Sequence, residues 1–268
     1  MQILVLGMHR SGTSLSTRII NMMGAYVGAP GMLLSANPDN PKGFWERHDV
    51  LHINRNLLQA NGCSWYRVDR WDDNNITIAP AIRQSIRQTL AEMNPNQPWV
   101  MKDPRLCITL PVWMPYLQAP VAVIATRNPM EVAHSLKLRN GMPLEYGLAL
   151  WEYHAVSIIR HAHALPKVFT TYDAMLTNPL AATRALCDAL SDHMHGLHLP
   201  SEENVLAYIT PSLRRAHAPE GSPTACQQNL YAMLLGEAPF DAGITVSDAS
   251  VQIMKQMGAQ VSGAPVAH

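Results

Sequence analysis

The run Gln2-Ile3-Leu4-Val5-Leu6 is apolar after its first residue, and it breaks at Gly7-Met8-His9-Arg10-Ser11-Gly12-Thr13-Ser14. A short run without polar alternation suits a strand buried on both faces, the kind found in parallel sheets. Beyond Gly12, Leu15, Ile19, Ile20, Met22 and Met23 recur at helical spacing until Gly24 ends the pattern as a C′ glycine does. A strand, a glycine turn and a helix in direct succession leave few architectures open. The turn brings backbone N–H groups to the positive end of a helix, a ready seat for a phosphate or sulfate group.

The spacing Gly7-x4-Gly12 followed by Thr13-Ser14 approaches the P-loop pattern, but Thr13 stands where that pattern has lysine. Neutralising a bound anion then falls to Arg10, inside the loop. No apolar strand ends in the acidic residue that nucleoside triphosphatases use beside Mg²⁺.

The rest of the chain alternates strands with helices. Strands are expected at 99–101, 121–126 and 168–171. Helices are expected at 50–59, 80–93, 108–117, 130–138 (with Pro129 at the first turn), 144–163, 178–190 and 224–235. A loop over 28–43, dense in Gly, Pro and Asn, is longer than most connections and implies a site. This order predicts an α/β fold with a mainly parallel sheet flanked by helices. The length of 268 residues fits a single domain, 1–268, with 216–268 a weakly defined C-terminal segment and the final ten residues mobile.

Composition removes several function classes. Twenty basic residues balance twenty acidic ones, which argues against a general nucleic-acid binder. Fifteen of the basic residues are Arg and five are Lys, a bias that suits oxyanions and equally suits an Arg-rich genome. The four cysteines show no CxxC spacing and read as reduced thiols. No charged leader precedes the first strand, and no apolar run reaches the roughly 18 residues of a membrane span. The expectation is a cytoplasmic protein with no membrane span and no nucleic-acid partner.

Ligands of parallel sheets bind at the carboxyl ends of the strands. Four ends here carry polar residues: His9-Arg10-Ser11, Lys102-Asp103-Pro104-Arg105, Arg127-Asn128 and Tyr172-Asp173. Three cationic corners on one edge predict a polyanionic ligand. Arg127 and Ser135, eight residues apart, could both reach a phosphate beside a helix start, although Arg127 could instead pair with Glu131. Lys102 reads equally as a site cation or as a partner of Asp103. The spacings of His161, His163, His193, His195 and His198 carry no accompanying carboxylate or cysteine motif, so they read as surface histidines, and no metal site is expected.

Together these features resemble the sulfotransferases that use 3′-phosphoadenosine 5′-phosphosulfate (PAPS), in their carbohydrate and bacterial form. Gly7 to Ser14 is similar to that family's 5′-phosphosulfate loop, Arg127 to Ser135 to its 3′-phosphate motif, and Thr171-Tyr172-Asp173-Ala174-Met175 to its tyrosine–acid strand exit. The resemblance runs over about 1–215. It implies a P-loop NTPase-like sulfotransferase fold. It also implies transfer of a sulfonate from PAPS to an acceptor hydroxyl on a glycan, glycolipid or small metabolite, with 3′,5′-ADP as product and no metal. His9, Arg10, Ser11, Gly12, Thr13, Ser14, Arg127 and Ser135 would bind the donor, with Arg214 and Arg215 folding back onto it or remaining on the surface. Arg10 and Lys102 would be catalytic cations. Glu46 is the first choice for general base and His48 the second, with Phe44 and Trp45 beside Glu46 to desolvate it or to anchor the loop. Aromatic-rich 44–71 and the 139–153 helix would line the acceptor pocket. The alternatives are a P-loop small-molecule kinase using ATP–Mg, or a non-catalytic nucleotide-binding scaffold.

Overall fold

The computed structural model describes residues 1–37, 40–210 and 219–261. Four strands, β1 (Gln2–Leu6), β2 (Trp99–Lys102), β3 (Pro120–Thr126) and β4 (Lys167–Thr171), form one parallel sheet in the order β2-β1-β3-β4. The register pairs Ile3 with Val100 on one side and with Val121 on the other. All four carboxyl ends therefore lie on one edge, as the sequence predicts.

Each strand's side chains alternate between two cores, which is the period-two geometry of a strand covered on both faces. Ile3, Val5, Val121 and Val123 face α1 (Thr13–Met22) and α8 (Pro179–Ser191), with Ile19, Ile20, Leu186 and Leu190 in that layer. Leu4, Leu6, Ala122 and Ile124 face the opposite core. That side holds α2 (His48–Ala60), α3 (Pro80–Met93), α4 (Leu106–Trp113), α5 (Pro129–Asn140) and α6 (Leu144–His161). Among the described residues no helix is long and apolar enough to cross a membrane.

Most expected elements occur within two residues of their predicted bounds. Three differences have physical causes. The helix expected from 178 is preceded by a short α7 (Tyr172–Thr177), because Thr171 caps Ala174 N and Asn178 then caps a fresh start at Pro179. Of the 139–153 stretch expected to line an acceptor pocket, Arg139 borders the cleft beside the β1 loop, while the part on α6 is largely core. Tyr146 and Trp151 are fully buried, and α6 is the central helix on which α4, α5, α10 (Ala225–Leu235) and α11 (Asp248–Val261) pack. The helix expected at 224–235 is present as α10, and two helices the pattern did not predict, α9 (Glu202–Tyr208) and α11, are formed as well. Arg214 and Arg215 lie outside the described residues.

The last two helices are tied down by one buried carboxylate. Glu152 on α6 accepts from Ser247 N (2.7 Å), Ser250 Oγ (2.7 Å) and Gln227 Nε2 (3.0 Å). One side chain thus closes the first turn of α11 and clasps α10. Glu152→Ala leaves these donors buried and unpaired, at about 1–3 kcal/mol for each left unsatisfied. Urea unfolding of this variant is expected to show a midpoint lowered by a loss of about 3 kcal/mol or more, with new protease cleavage in 225–261. An unchanged midpoint would show that the clasp is dispensable.

Candidate functional site

The site is built on the loop after β1, whose shape only glycine permits. A Cβ on Gly7 would lie 2.4 Å from the Ala125 carbonyl oxygen on β3 and 2.7 Å from Thr13 Cγ2. At Gly12, φ is +90°, and a Cβ there would sit 2.8 Å from the Tyr172 ring. Arg10 also adopts positive φ (71°), a strained setting for a side-chain-bearing residue. The turn is closed by Ser11 N donating to Met8 O at 3.1 Å. The first turn of α1 has neither a side-chain cap nor an acidic residue. By helix geometry its leading N–H groups are left to an outside partner, which fits an anion.

Cations surround this loop. Arg10 Nε donates to Ser135 Oγ at 2.9 Å, joining the loop to α5. Arg127 Nη1 reaches the Arg10 carbonyl at 3.4 Å, its Nε pairs with Glu131 at 2.7 Å, and its guanidinium lies 4.5 Å over the Tyr172 ring. The Glu131 pairing read from sequence is therefore present, while the helix cap belongs to Asn128, whose side chain accepts from Met130 N. Arg127, Arg10, Ser135 and Tyr172 form one connected group.

Lys102 does not pair with Asp103. Asp103 is held by Arg105, at 3.1 Å to its Oδ1. Lys102 Nζ instead pairs with Glu46 Oε1 at 2.5 Å and also donates to Ser14 Oγ at 3.2 Å, where Asn40 Nδ2 donates from the long loop at 3.1 Å. Both members of the pair are buried, with side chains 1% and 8% exposed. Burial, reinforced by the negative charge of Asp103, raises the Glu46 pKa, and burial lowers that of Lys102. Each shift favours a carboxylate ready to take a proton beside an amine ready to give one.

The cleft above these groups is lined by His9, Arg10, Thr13, Ser14 and Glu46, with Phe44, Trp65, Arg105 and Arg139 across from them. His48 lies outside it, at the start of α2 in an adjoining cavity. Of the two candidate bases, Glu46 alone borders the loop. The aromatic pair beside it divides. Phe44 lines the cleft, while Trp45 is the loop's anchor, donating to Lys42 O at 3.0 Å with Arg18 stacked on it at 4.5 Å.

His9 lies against Trp65 at 4.5 Å and 6.4 Å from His154, and its Nε2 is buried without a partner among the described residues. Burial and the nearby Arg105 and Arg139 press its pKa well below the ordinary histidine value, so it is neutral. His161 is not a simple surface histidine, because it faces Asp73 at 3.0 Å and the Cys107 carbonyl at 2.8 Å.

Arg139 falls within the 139–153 stretch expected at the pocket but is not singled out from it by the sequence, and Asn40 is not a sequence candidate. Arg139 was legible in principle, since it lies four residues beyond Ser135 on the same helix face. Asn40 carried no signal apart from its place in the long loop.

The model described as the Sulfotransferase family matches residues 2–193. Two solved structures are similar. "Sulfotransferase Domain from the Curacin Biosynthetic Pathway" is 18% identical, covers 96% of each chain and has a TM-score of 0.44. "Sulfotransferase Domain from the Synechococcus PCC 7002 Olefin Synthase" is 16% identical, covers 96% of this chain and 94% of its own, and has a TM-score of 0.39. No curated protein matches. The family match takes in the loop, the Lys102–Glu46 pair and the Arg127–Ser135 segment, and the chain belongs to the sulfotransferase family.

Proposed function

We propose that the protein transfers a sulfonate from PAPS to an acceptor hydroxyl, with Glu46 as general base. The observation that carries this reading is the buried Lys102–Glu46 pair beside Ser14, at the lip of a glycine loop suited to a phosphate. PAPS supplies the sulfonate and leaves as 3′,5′-ADP. The chain's own residues do the rest.

The loop over 7–14 would hold the 5′-phosphosulfate on backbone N–H groups and the side chains of Ser11, Thr13 and Ser14, with His9 behind it. Arg10 remains protonated near neutrality and acts by charge alone, opposing the negative charge that grows on the leaving oxygen. Arg127 and Ser135 would take the 3′-phosphate, Arg127 exchanging part of its contact with Glu131 for the ligand. Glu46 takes the acceptor's proton as the acceptor oxygen bonds to sulfur, and the bond from sulfur to the 5′-phosphate oxygen breaks. Lys102 steadies the same phosphate side through Ser14 and balances the charge of Glu46 until the proton arrives. None of these roles needs a metal ion.

The absence of lysine at Thr13 separates this reading from an ATP–Mg kinase. Thermal unfolding tests it. At a hundredfold excess over its dissociation constant, 3′,5′-ADP is expected to add about 2.7 kcal/mol of stability. Stabilisation by ATP–Mg and not by 3′,5′-ADP would contradict the proposal.

Two substitutions test the roles. Arg10→Ala should lower PAPS turnover by about 10²-fold or more, the scale of one lost transition-state donor, and unchanged turnover would make Arg10 structural. Glu46 must be deprotonated to act, so kcat/KM should rise with pH. Because burial raises its pKa, that rise should lie above the ordinary Glu value of about 4.3. Glu46→Gln should abolish turnover while leaving 3′,5′-ADP binding intact. Residual activity with an unaltered pH profile would remove Glu46 from the role.

A further inference from the structure

The long loop between α1 and α2 closes on itself just before α2. Leu33 bridges Arg47, Leu34 N donates to Glu46 O at 2.8 Å, and His48 N donates to Met32 O at 2.8 Å. Glu46 therefore stands at the neck of the loop. Farther out, Lys42 Nζ donates to Ala207 O at 3.2 Å and Trp45 Nε1 to the Tyr208 hydroxyl at 3.0 Å, both on α9. Asn40 turns the other way, into the cleft. Its N–H donates to Asn37 Oδ1 and its carbonyl accepts from Gly43 N, each at 3.0 Å, while its Nδ2 donates to Ser14 Oγ at 3.1 Å. Asn40, Ser14 and Glu46 all line the cleft.

Hydrogen-bonding capacity gives the Asn40–Ser14 contact a meaning. A serine hydroxyl has two acceptor lone pairs and one proton. Lys102 Nζ, at 3.2 Å, and Asn40 Nδ2 take both lone pairs of Ser14. The proton is left over, with no acceptor among the described residues. The tetrahedral geometry of the oxygen turns it away from both donors. Ser14 is the second residue of α1, so this proton joins the uncapped N–H groups of the helix start as a donor to an anion. The two groups that hold Ser14 differ in kind. Lys102 also pairs with Glu46, and its hold on Ser14 changes when that carboxyl takes a proton. An amide neither gains nor loses a proton near neutrality, so Asn40 holds the hydroxyl alike before and after transfer.

We propose that Asn40 is a positioning residue for the donor. It fixes the Ser14 hydroxyl as a hydrogen-bond donor to the 5′-phosphate end of the nucleotide, and it ties that contact to the loop that carries Glu46. Asn40 acts through Ser14. The inference rests on the PAPS reading of the cleft.

Calorimetry with 3′,5′-ADP and with 3′-AMP, which lacks the 5′-phosphate, tests this without an acceptor. Asn40→Ala should weaken 3′,5′-ADP about tenfold, the scale of one hydrogen bond to a charged group, and leave 3′-AMP within about twofold of wild type. Asn40→Asp, equal in size but able only to accept, should capture the Ser14 proton and weaken 3′,5′-ADP more than Asn40→Ala does. In a Ser14→Ala background, Asn40→Ala should cost less than about twofold more, because the group it acts through is gone. A purely structural role would weaken both nucleotides alike and add in full to Ser14→Ala. Either result would overturn the inference, as would a milder loss in Asn40→Asp than in Asn40→Ala. If Asn40→Ala fails to fold, Asn40→Asp carries the same comparison of the two nucleotides. A wild-type protein that does not bind 3′,5′-ADP would overturn the donor reading and this inference with it. Tight binding of 3′,5′-ADP that ignores Asn40 would overturn this inference alone.

Discussion

The closest constraint in the molecule is the approach of the first loop to the sheet at Gly7. With 2.4 Å between an added Cβ and the Ala125 carbonyl, nothing larger than glycine lets β1 turn back over β3. The same loop meets Tyr172 at Gly12, and Tyr172 in turn carries Arg127 on its ring. Two glycines therefore fix the distance between three strand ends. The cations reach one place because the backbone leaves them no other.

Those cations are compensated before any ligand arrives. Arg105 leans on Asp103, Arg127 on Glu131, and Lys102 on Glu46. Burying charge without such partners would cost several kcal/mol per group, and a buried pair recovers that cost only when its geometry is good. The arrangement holds each head group in position while leaving it able to exchange partners. For Lys102 and Glu46 the exchange has a chemical meaning, since burial moves both toward their neutral forms and a proton can pass between water, acceptor and carboxylate.

Local features were readable in the sequence and distant ones were not. The β1 loop, the Pro129 helix start and the 80–93 helix each carry their signal within a few residues. The Lys102–Glu46 pair joins residues 56 positions apart, and no local pattern favours it over Asp103 next door. Helix α11 escaped because its buried face includes Ser250 and Gly258, which read as loop residues. Ser250 is there to reach Glu152, and Gly258 passes 3.6 Å, from where its Cβ would be, to the Tyr146 hydroxyl. Close packing against α6 replaced the apolar residues a periodicity would detect. The 139–153 expectation divides in a similar way: Arg139 borders the cleft while Tyr146 and Trp151 on α6 are core, since aromatic residues mark cores and pockets alike.

The central claim is that the strand edge recognises a nucleotide carrying phosphate at both 3′ and 5′ positions. Calorimetric titration of 3′,5′-ADP against 5′-AMP, with the wild-type protein and Arg127→Ala, addresses it most directly. The account predicts that 3′,5′-ADP binds at least about tenfold more tightly than 5′-AMP, a difference of about 1.4 kcal/mol, and that Arg127→Ala removes most of this advantage. Equal affinity for the two nucleotides in the wild-type protein would contradict it.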